Sequence, residues 1–213
     1  MGKKKTIDTT WSPSFAYTIG IIATDGNLSP DGRHINITSK DSQLLETIKS
    51  IMNLKNKIGR KGSGSSVGKK YFCLQFGNID FYRFLLQIGL TPAKSKTLGA
   101  LSIPDAYFFD FFRGCIDGDG SISITFHPES KHPQLKIRLV SASEAFVLWI
   151  KETITRQLEM MGGWIYKSPQ KMYTLSYGKA DSIRLINSMY GYNVPCLERK
   201  RILAEQFMIG RVA

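Results

Sequence analysis

The stretch FFRGCIDGDGS, residues 111–121, places two acids around one glycine at the end of an apolar run. The residues before the acids are mostly apolar and favour a buried helix, whereas the glycines that follow favour a turn. Asp117 and Asp119 therefore stand where a buried helix ends. Such a pair is typical either of a simple turn or of a metal site, and the rest of the chain has to discriminate between the two.

The charge balance of the chain indicates the kind of partner. Its 213 residues carry a net charge of +12, with 42% hydrophobic and 22% charged residues. This excess of positive charge favours a polyanion, above all nucleic acid, although a basic protein without such a partner is the alternative. Because the basic residues are not collected in a tail, we expect a folded basic surface.

Targeting segments and cysteine use indicate the compartment. No apolar run reaches the roughly 18 residues that a membrane span needs, and residues 1–10 lack the apolar stretch of a signal peptide. The three cysteines form no CxxC pair, which favours neither a zinc site nor a disulfide framework. We therefore expect an intracellular protein.

Hydrophobic periodicity predicts a definite order of elements in the first hundred residues. A helix is predicted over SPSFAYTIGIIATDG, with Ser12 as its N-cap and Pro13 in its first turn. The next predicted elements are the alternating strand RHINITS and an amphipathic helix with Asp41 near its start. After them we expect a hairpin ending in KKYFCLQFG and a helix capped by Asn78.

Residues 105–192 repeat this order, and one further helix over PCLERKRILAEQF closes the chain. The pattern is α-β-β-α-β-β-α, twice. The predicted class is α+β, with two pseudo-symmetric repeats, an antiparallel sheet in each and a central two-helix interface. We place the N-terminal repeat at 1–98, a linker at 99–105 and the C-terminal repeat at 106–213.

The two repeats also align residue by residue. IGIIATDG aligns with RGCIDGDG, NITSKDS with RLVSASE, and PAKSKTL with CLERKRI. The matched pairs are Gly20 and Gly114, Asp25 and Asp119, Gly26 and Gly120, Ser39 and Ser141, and Lys96 and Lys200. One short match arises easily by chance, but its recurrence inside the same order of elements indicates a true internal repeat.

The duplicated acids suggest a cation site. Small residues allow the two helices to approach closely, and parallel packing would make Asp25 and Asp119 neighbours. Two carboxylates that close repel, so they need protons or cations between them. Mg²⁺ prefers oxygen ligands and typically uses few carboxylates together with water and substrate phosphates. In a basic protein, this indicates a phosphodiester substrate, whose hydrolysis metal ions can assist.

Other interpretations of the acidic motif are weaker. An EF-hand calcium loop starting at Asp117 would need Gly and Glu where Ile122 and Pro128 stand. The segment GDGSIS lacks the full glycine pattern of a dinucleotide-binding loop. A plain turn would explain one DGDG, but it does not explain the duplicate at Asp25.

The segments TIGIIATDG and FRGCIDGDG resemble the paired motifs of the LAGLIDADG homing endonucleases, in their single-chain, two-repeat form. The resemblance covers nearly the whole chain and implies that the two motif helices form the interface between the halves. It also implies metal binding by Asp25 and Asp119 and by the peptide carbonyls of Thr24 and Gly118. The implied cofactor is Mg²⁺, for which Mn²⁺ or Ca²⁺ can substitute in the site.

The resemblance further implies roles for residues around the acids. The first motif has Ala23 where the family often has an acid, and we interpret Asp117, at that position in the second motif, as a supporting residue. Four polar residues fall where the family orders water or contacts the scissile phosphate: Lys96, Lys200, Ser39 and Ser141. We assign the lysines to catalysis and the serines to a water network, with a solvated basic side chain as the alternative for each lysine.

Each repeat supplies enough strands for a curved antiparallel sheet, and such sheets can enter the major groove of DNA. The expected partner is double-stranded DNA with a long, pseudo-symmetric target. Any one polar strand residue is more often a phosphate contact or a plain exposed residue than a base reader. The candidate DNA-binding residues are Asn27, Ser29, Arg33, Asn36, Thr38, Lys40, Arg60, Lys70, Gln75, Ser121, Ser123, Thr125, Lys136, Arg138, Lys167, Lys171 and Thr174.

Together these features predict a site-specific DNA endonuclease that hydrolyses both strands with divalent ions shared by the two aspartates. An RNA-splicing maturase and a cleavage-inactive, sequence-specific DNA-binding protein of the same fold are the alternatives. We expect a monomer without an obligate protein partner and without a membrane partner, because each repeat supplies the helix that pairs with the other.

Overall fold

A computed structural model describes residues 6–61, 71–126 and 132–210 of the chain. Its first half folds in the order helix, two strands, helix, two strands, helix. These elements are α1 (Pro13–Asp25), β1 (Gly26–Leu28), β2 (His34–Ser39), α2 (Ser42–Ile51), β3 (Ile58–Lys61), β4 (Tyr71–Gly77) and α3 (Ile79–Gln87).

The second half repeats this order and adds one helix at its end. These elements are α4 (Phe108–Asp119), β5 (Gly120–Thr125), β6 (Gln134–Ser141), α5 (Glu144–Leu158), β7 (Trp164–Lys167), β8 (Tyr173–Tyr177), α6 (Lys179–Met189) and α7 (Glu198–Met208). Between the halves, short 3₁₀ turns occupy Lys94–Lys96 and Asp105–Tyr107. The predicted α+β class and the duplicated α-β-β-α-β-β-α order are thus confirmed.

Each half builds one antiparallel sheet, and the two sheets share a strand order. The first runs β1-β2-β4-β3 and the second runs β5-β6-β8-β7. Along the inner strand β2, Ile35 and Ile37 are fully buried whereas the residues on either side of each are only half-buried. The same alternation in β6 buries Leu135, Ile137 and Leu139. One face of each sheet therefore packs on the core, and the opposite face carries polar side chains.

The predicted helix starts are confirmed in the first half. In α1, α2 and α3, the side chains of Ser12, Asp41 and Asn78 each accept a hydrogen bond from a backbone N–H of the first turn. These contacts satisfy N–H groups that have no partner inside the helix. Pro13 occupies the first position of α1, where its missing N–H costs nothing.

The helices α1 and α4 form the centre of the molecule. They touch at Gly20 and Gly114, where a methyl group added to Gly20 would lie 2.9 Å from the Cα atom of Gly114. The same methyl group would collide with the backbone carbonyl of Phe111. Only glycine lets two helix backbones approach so closely, and the predicted two-helix interface between the repeats is thus confirmed.

The segment between the halves is held in place by contacts to the second half. Ser143 lies just before α5 and donates its hydroxyl hydrogen to the carbonyl oxygen of Leu98, at 2.5 Å. The predicted linker, residues 99–105, runs from this contact to the turn that precedes α4. The repeat boundaries themselves stay a prediction. In the part of the chain that the structure describes, no helix combines the length and apolar character required to cross a bilayer.

Candidate active site

The two acids of the duplicated motif end the two central helices. Asp25 is the last residue of α1 and is half-buried, while Asp119 is the last residue of α4 and is exposed. The glycine after each acid leaves the helix in an extended conformation, and its N–H donates to the carbonyl of Ile22 or Ile116. Each helix therefore ends at its acid, and the first strand of the sheet begins at the next residue.

The electrostatics of the site show that the acids are neighbours. Burial raises the pKa of the Asp25 carboxyl to about 7, and the charge of Asp119 adds to this rise. Although part of Asp119 is exposed, the protein atoms around its carboxyl exclude water and raise its pKa, against the opposing charges of Lys94 and Lys200. A carboxylate whose ionisation is disfavoured by burial and by a neighbouring carboxylate is stabilised by a bound cation.

Two buried lysines flank the acids in a symmetric arrangement. The Lys94 ammonium donates to the carbonyl oxygen of Gly26, and the Lys200 ammonium donates to that of Gly120 at 2.8 Å. Lys200 also donates to the carbonyls of Ile116 and, at 3.1 Å, Asp117. Burial lowers the pKa of each lysine to about 8, although the nearby aspartates oppose this shift. Each lysine thus donates to carbonyl oxygens at, or just after, the C-terminal end of one central helix.

This arrangement corrects the predicted pairing of Lys96 with Lys200. Lys96 is exposed, and the counterpart of Lys200 is Lys94, two residues earlier in the same 3₁₀ turn. Both buried lysines follow a proline, but the spacing is two residues after Pro92 and five after Pro195. An alignment of the two segments without gaps therefore places Lys96, and not Lys94, opposite Lys200. Lys200 itself is turned inward to carbonyl oxygens rather than toward open surface.

The two lysines of this turn provide a matched test. Replacing Lys94 with Met should lower the free energy of unfolding by about 2 kcal/mol, because the carbonyl of Gly26 loses a charged donor. Replacing exposed Lys96 with Met should leave that free energy unchanged. Urea unfolding monitored by circular dichroism measures both. If the two variants behave alike, Lys94 is not the structural counterpart of Lys200.

The raised pKa of Asp25 predicts how stability depends on pH. Between about pH 4 and 7 folded Asp25 keeps a proton that the unfolded chain has lost, so the metal-free protein loses stability as pH rises through this range. In EDTA, the free energy of unfolding should therefore fall from pH 4 to 7 less steeply in Asp25→Asn than in the parent protein. Equal slopes would contradict the raised pKa.

Asp117 supports the helix end rather than facing outward. Its carboxylate is almost fully buried and accepts from the Tyr17 hydroxyl at 2.9 Å and from the Leu197 N–H at 2.7 Å. Tyr17 belongs to α1 and Leu197 immediately precedes α7, so one side chain joins three segments. Burial raises the pKa of Asp117, and these two hydrogen bonds act against that rise.

A buried arginine completes this support and was not predicted. Arg113 of α4 is almost fully buried and donates to the carbonyls of Met189 and, at 2.9 Å, Pro195. It also pairs with Asp110 at 2.8 Å. These contacts hold the segment that leads into α7 and therefore set the position of Lys200. The bonds join residues about 80 apart in the chain, which local sequence patterns do not reveal.

The paired serines occupy equivalent turns after β2 and β6. The Ser39 hydroxyl accepts from the N–H of Asp41 and the Ser141 hydroxyl from that of Ser143, both at 3.1 Å. Each serine also lines a cavity beside the acids, Ser39 with Asp25 and Asp119, and Ser141 with Asp119. The structure thus places both at the edge of the site, where their role in a water network stays a prediction.

The strand registers place most of the predicted DNA-binding residues on the polar faces of the sheets. In the first sheet these residues lie opposite the face that buries Ile35 and Leu74, and in the second opposite the face that buries Ile137 and Leu175. They are Asn27, Asn36, Thr38, Gln75, Ser121, Ser123, Thr125, Lys136, Arg138 and Thr174. Trp164 and Tyr166 also lie on the polar face of the second sheet and are about half-exposed. Because both side chains are largely apolar, they were not predicted to bind DNA.

Two predicted DNA-binding residues lie on the opposite, core-side face at the sheet edges. Arg60 pairs with Phe72, and Lys167 pairs with the buried Tyr173, over whose ring its ammonium lies at 5.1 Å. Neither residue thus lies on the polar face of its sheet, but both are exposed, and their role in DNA binding stays a prediction. Both residues lie on strands of four residues, whose register the sequence does not specify.

The remaining candidates lie in loops or outside the described residues. Ser29 and Arg33 flank the turn between β1 and β2, and Lys171 lies in the turn between β7 and β8. Lys40 follows β2 and lines the cavity that also contains Asp25. Lys70 falls outside the described residues.

The oxygen atoms around the acids fit a hard divalent cation. Asp25 and Asp119 offer carboxylates, while Thr24 and Gly118 stand in the last helical turns, whose carbonyls lack partners inside the helix. The backbones are close here, because a methyl group added to Gly118 would lie 3.3 Å from Asp25 Oδ2. Among the described residues no three His, Cys, Asp or Glu side chains form a metal-binding group. A bound cation would therefore need carbonyl, water or substrate oxygens as well.

Solved structures of similar fold include DNA endonucleases. Mesophilic variants of the homing endonuclease I-DmoI align with a TM-score of 0.59 at 15% identity, over 91% of this chain and 97% of that chain. I-DmoI in complex with DNA and Mn aligns with a TM-score of 0.54 at 14% identity, over 84% and 98%. The chain therefore has the LAGLIDADG fold, as its motifs indicate.

The same fold occurs in a protein that is not described as an endonuclease. Full-length DUF199/WhiA from Thermatoga maritima aligns with a TM-score of 0.58 at 15% identity, over 97% of this chain and 63% of that chain. The chain thus spans less than two thirds of that protein. The sequence matches no protein-family model and no curated protein. Similarity at this level of sequence identity shows a common fold, and activity depends on the residues of the site.

Proposed function

We propose that this protein is a metal-dependent endonuclease that cuts both strands of a specific DNA duplex. The observation that carries the proposal is the pair of acids, Asp25 and Asp119, at the ends of two helices packed on glycine. Each acid is accompanied by a buried lysine, and each helix leads into a sheet whose free face is polar. The net charge of +12 adds attraction for the phosphate backbone.

The two acids and neighbouring carbonyls would hold Mg²⁺. We assign this role to the carboxylates of Asp25 and Asp119 and to the carbonyls of Thr24 and Gly118. When bound, the cation activates water and stabilises the leaving oxygen of the phosphodiester. Mn²⁺ or Ca²⁺ would occupy the same oxygen donors, and the solved complex of I-DmoI with DNA and Mn supports a divalent cation.

The chain's own residues would prepare the site. Lys94 and Lys200 fix the carbonyls that follow the acids, and they place positive charge within reach of the carboxylates. Asp117 holds the end of α4 against α1 and the start of α7. Such preorganisation matters because charges fixed before the reaction need no rearrangement as the transition state forms.

The two sheets would lie along the DNA, one on each half of the target. Their polar faces combine hydrogen-bonding side chains such as Asn36 and Ser123 with cations such as Lys136 and Arg138. Hydrogen bonds to base edges would provide specificity, and contacts to phosphates would provide position. Because the two faces differ in sequence, the two halves of the target would be related but not identical.

A cleavage assay on a randomised duplex library tests this proposal. The protein is incubated with the library and MgCl₂, and the cut ends are sequenced. We expect one family of related sequences, cut in both strands and left intact when EDTA replaces MgCl₂. Failure to cut any duplex, in MgCl₂ or in MnCl₂, would refute the endonuclease.

The similarity to DUF199/WhiA supports a second candidate, a DNA-binding protein of the same fold that does not cut. An RNA-splicing maturase with the same basic surface is a related alternative. Binding selection on the same library in CaCl₂ distinguishes these outcomes. A specific duplex that is bound but never cut would favour the DNA-binding protein, and preferential binding of structured RNA would favour the maturase.

We also propose that the protein acts as a monomer. The apolar faces of α1 and α4 cover each other within one chain, so neither of these two helices requires a second copy. Light scattering should give the mass of a single chain, 24.0 kDa, at micromolar concentration without DNA. A mass of two chains under these conditions would contradict this expectation.

A further inference from the structure

Two cavities flank the acid pair, one in each repeat, and they are equivalent in the fold. The N-cavity lies beside both acids and is lined by Thr38, Ser39, Lys40, Tyr71 and Arg199. The C-cavity lies beside Asp119 and is lined by Lys94, Val140, Ser141, Ala142 and Met172. Each contains the end of the inner strand of its sheet, the serine that ends this strand and the residues that follow.

The strand registers establish which residues correspond. Ser39 pairs with Phe72 in the first sheet, and Ser141 pairs with Tyr173 in the second. The residues before the serines, Thr38 and Val140, are therefore equivalent. The residues after them, Lys40 and Ala142, are equivalent for the same reason. Tyr71 and Met172, which precede the paired aromatic residues, form the third match.

Each of these three matches sets a polar residue against an apolar one. The N-cavity has Thr38, Lys40 and Tyr71, whereas the C-cavity has Val140, Ala142 and Met172. The Lys40 side chain is exposed, and its ammonium lies over the Tyr71 ring, 5.6 Å from the centroid. At these three positions the N-cavity thus offers two hydroxyl groups and an exposed cation, whereas the C-cavity offers only carbon and sulfur atoms.

A second cation distinguishes the N-cavity. Arg199 precedes Lys200, and the residue before the equivalent Lys94 is Ala93. The guanidinium of Arg199 is 66% exposed and lies 4.0 Å from Asp41 Oδ2. Asp41 offsets part of the charge, so the N-cavity keeps one net positive charge from these three side chains. Each repeat also has a buried lysine at the following position, Lys200 or Lys94, and of these two Lys94 lines its cavity whereas Lys200 does not.

We propose that the N-cavity holds the scissile phosphate of the DNA strand that is cut first, and that Lys40 and Arg199 determine this order. The inference rests on the proposed endonuclease function. Hydrolysis adds one water across the bond: its oxygen bonds to phosphorus, the bond to the leaving sugar oxygen breaks, and that oxygen ends with a proton. The phosphoryl oxygens and the leaving oxygen carry negative charge as this happens.

The physical basis is differential stabilisation of that charge. A guanidinium or ammonium that contacts the transferring phosphoryl group lowers the barrier, whereas Val140, Ala142 and Met172 cannot donate a hydrogen bond. One charged contact of this kind is worth a few kcal/mol at most, and about 1.4 kcal/mol corresponds to a tenfold rate difference. The two strands should therefore be cut at rates that differ by about tenfold or more.

A strand-resolved assay tests the order of cutting. The cognate duplex carries a different fluorophore on each strand, and the two rates are measured after MgCl₂ is added. We expect Lys40→Ala and Arg199→Ala to slow the faster strand by about tenfold each and to change the slower strand by less than about twofold. Lys55→Ala, an exposed lysine outside both cavities, is the control and should change neither rate.

Two further measurements keep the inference independent of cleavage rate alone. A methylphosphonate removes the charge from one scissile phosphate at a time, and binding is measured in EDTA. Neutralising the phosphate of the faster strand should weaken binding more than neutralising the other, and Lys40→Ala should remove the difference. The variant Ala142→Lys should in turn accelerate the slower strand.

The outcomes separate this inference from the proposed function. Equal rates for the two strands, or variants that slow both strands equally, would overturn the order of cutting and leave the endonuclease intact. Equal effects of the two methylphosphonates would overturn the assignment of the N-cavity. If the parent protein cuts neither strand of any duplex, the proposed function falls, and the order of cutting falls with it.

Discussion

Replacing Asp25 or Asp119 with Asn should abolish measurable cleavage of both strands while DNA binding survives. Asn has nearly the volume of Asp but lacks the charge that holds a divalent cation. Because both acids belong to the proposed metal site at the helix junction, either change should affect both strands. The loss should exceed about a hundredfold, which corresponds to nearly 3 kcal/mol of transition-state stabilisation.

Binding and cleavage have to be measured on the same duplex to interpret this result. Binding is measured in CaCl₂ and cleavage in MgCl₂, with Asp80→Asn, which changes an acid in the first turn of α3, as a control. Binding by the two site variants should equal or exceed that of the parent protein, since a negative charge facing phosphates is removed. A double variant, Asp25→Asn with Asp119→Asn, that cuts at the parent rate would refute the site.

A purely structural role for the acids predicts a different pattern. If Asp25 and Asp119 served only to end their helices, the Asn variants would cut normally or would lose binding together with stability. The structure gives little reason for such a role, because the following glycines already end the helices through their own N–H groups. The acids are thus free of the structural task that Asp117 performs.

The duplicated motif allowed the fold to be predicted from the sequence. Gly20 and Gly114 recur at the same distance before Asp25 and Asp119, and the same order of helices and strands surrounds both. Period-two alternation also identified the polar faces of β2 and β6, since their buried apolar residues recur at every second position. These features are local in the chain, and local patterns survive in a single sequence.

Features that depend on distant contacts could not be predicted. Arg113 reads as an ordinary exposed cation on a helix, yet it is buried by carbonyls of residues 189 and 195. Lys94 and Lys200 are equivalent only in space, because three extra residues separate Lys200 from its proline. The short edge strands β3 and β7 gave no register, so the faces of Arg60 and Lys167 were not determined.

The difference between the two cavities could be predicted from the sequence only in part. The serines that mark their equivalence were aligned from the sequence, and the neighbours Lys40 and Ala142 are adjacent to them. Arg199, however, reaches the N-cavity from α7 at the far end of the chain. The difference in charge therefore becomes visible only when both repeats are folded against each other.

Substituting Ala for Gly20 or Gly114 should destabilise the protein by forcing the two central helices apart. In each case the new methyl group would meet the backbone of the facing helix: the Phe111 carbonyl for Gly20 and the Tyr17 carbonyl for Gly114. Backbone atoms cannot move aside as a side chain can, so the helices must separate. We expect a loss of about 3 kcal/mol from overpacking, reduced by about 1 kcal/mol because Ala favours helix more than Gly.

The control for this experiment is Gly99→Ala, where the added methyl group would meet no atom within 4 Å. Its free energy of unfolding should stay within about 0.5 kcal/mol of the parent value, and urea unfolding measures this quantity for all three variants.

Separation of α1 and α4 should also move Asp25 away from Asp119 and lower the cleavage rate of the protein that remains folded. Because Gly20 lies five residues before Asp25, and Gly114 five before Asp119, the contact that stabilises the fold also sets the distance between the acids. A Gly114→Ala variant that kept both its stability and its cleavage rate would show that the close helix approach governs neither.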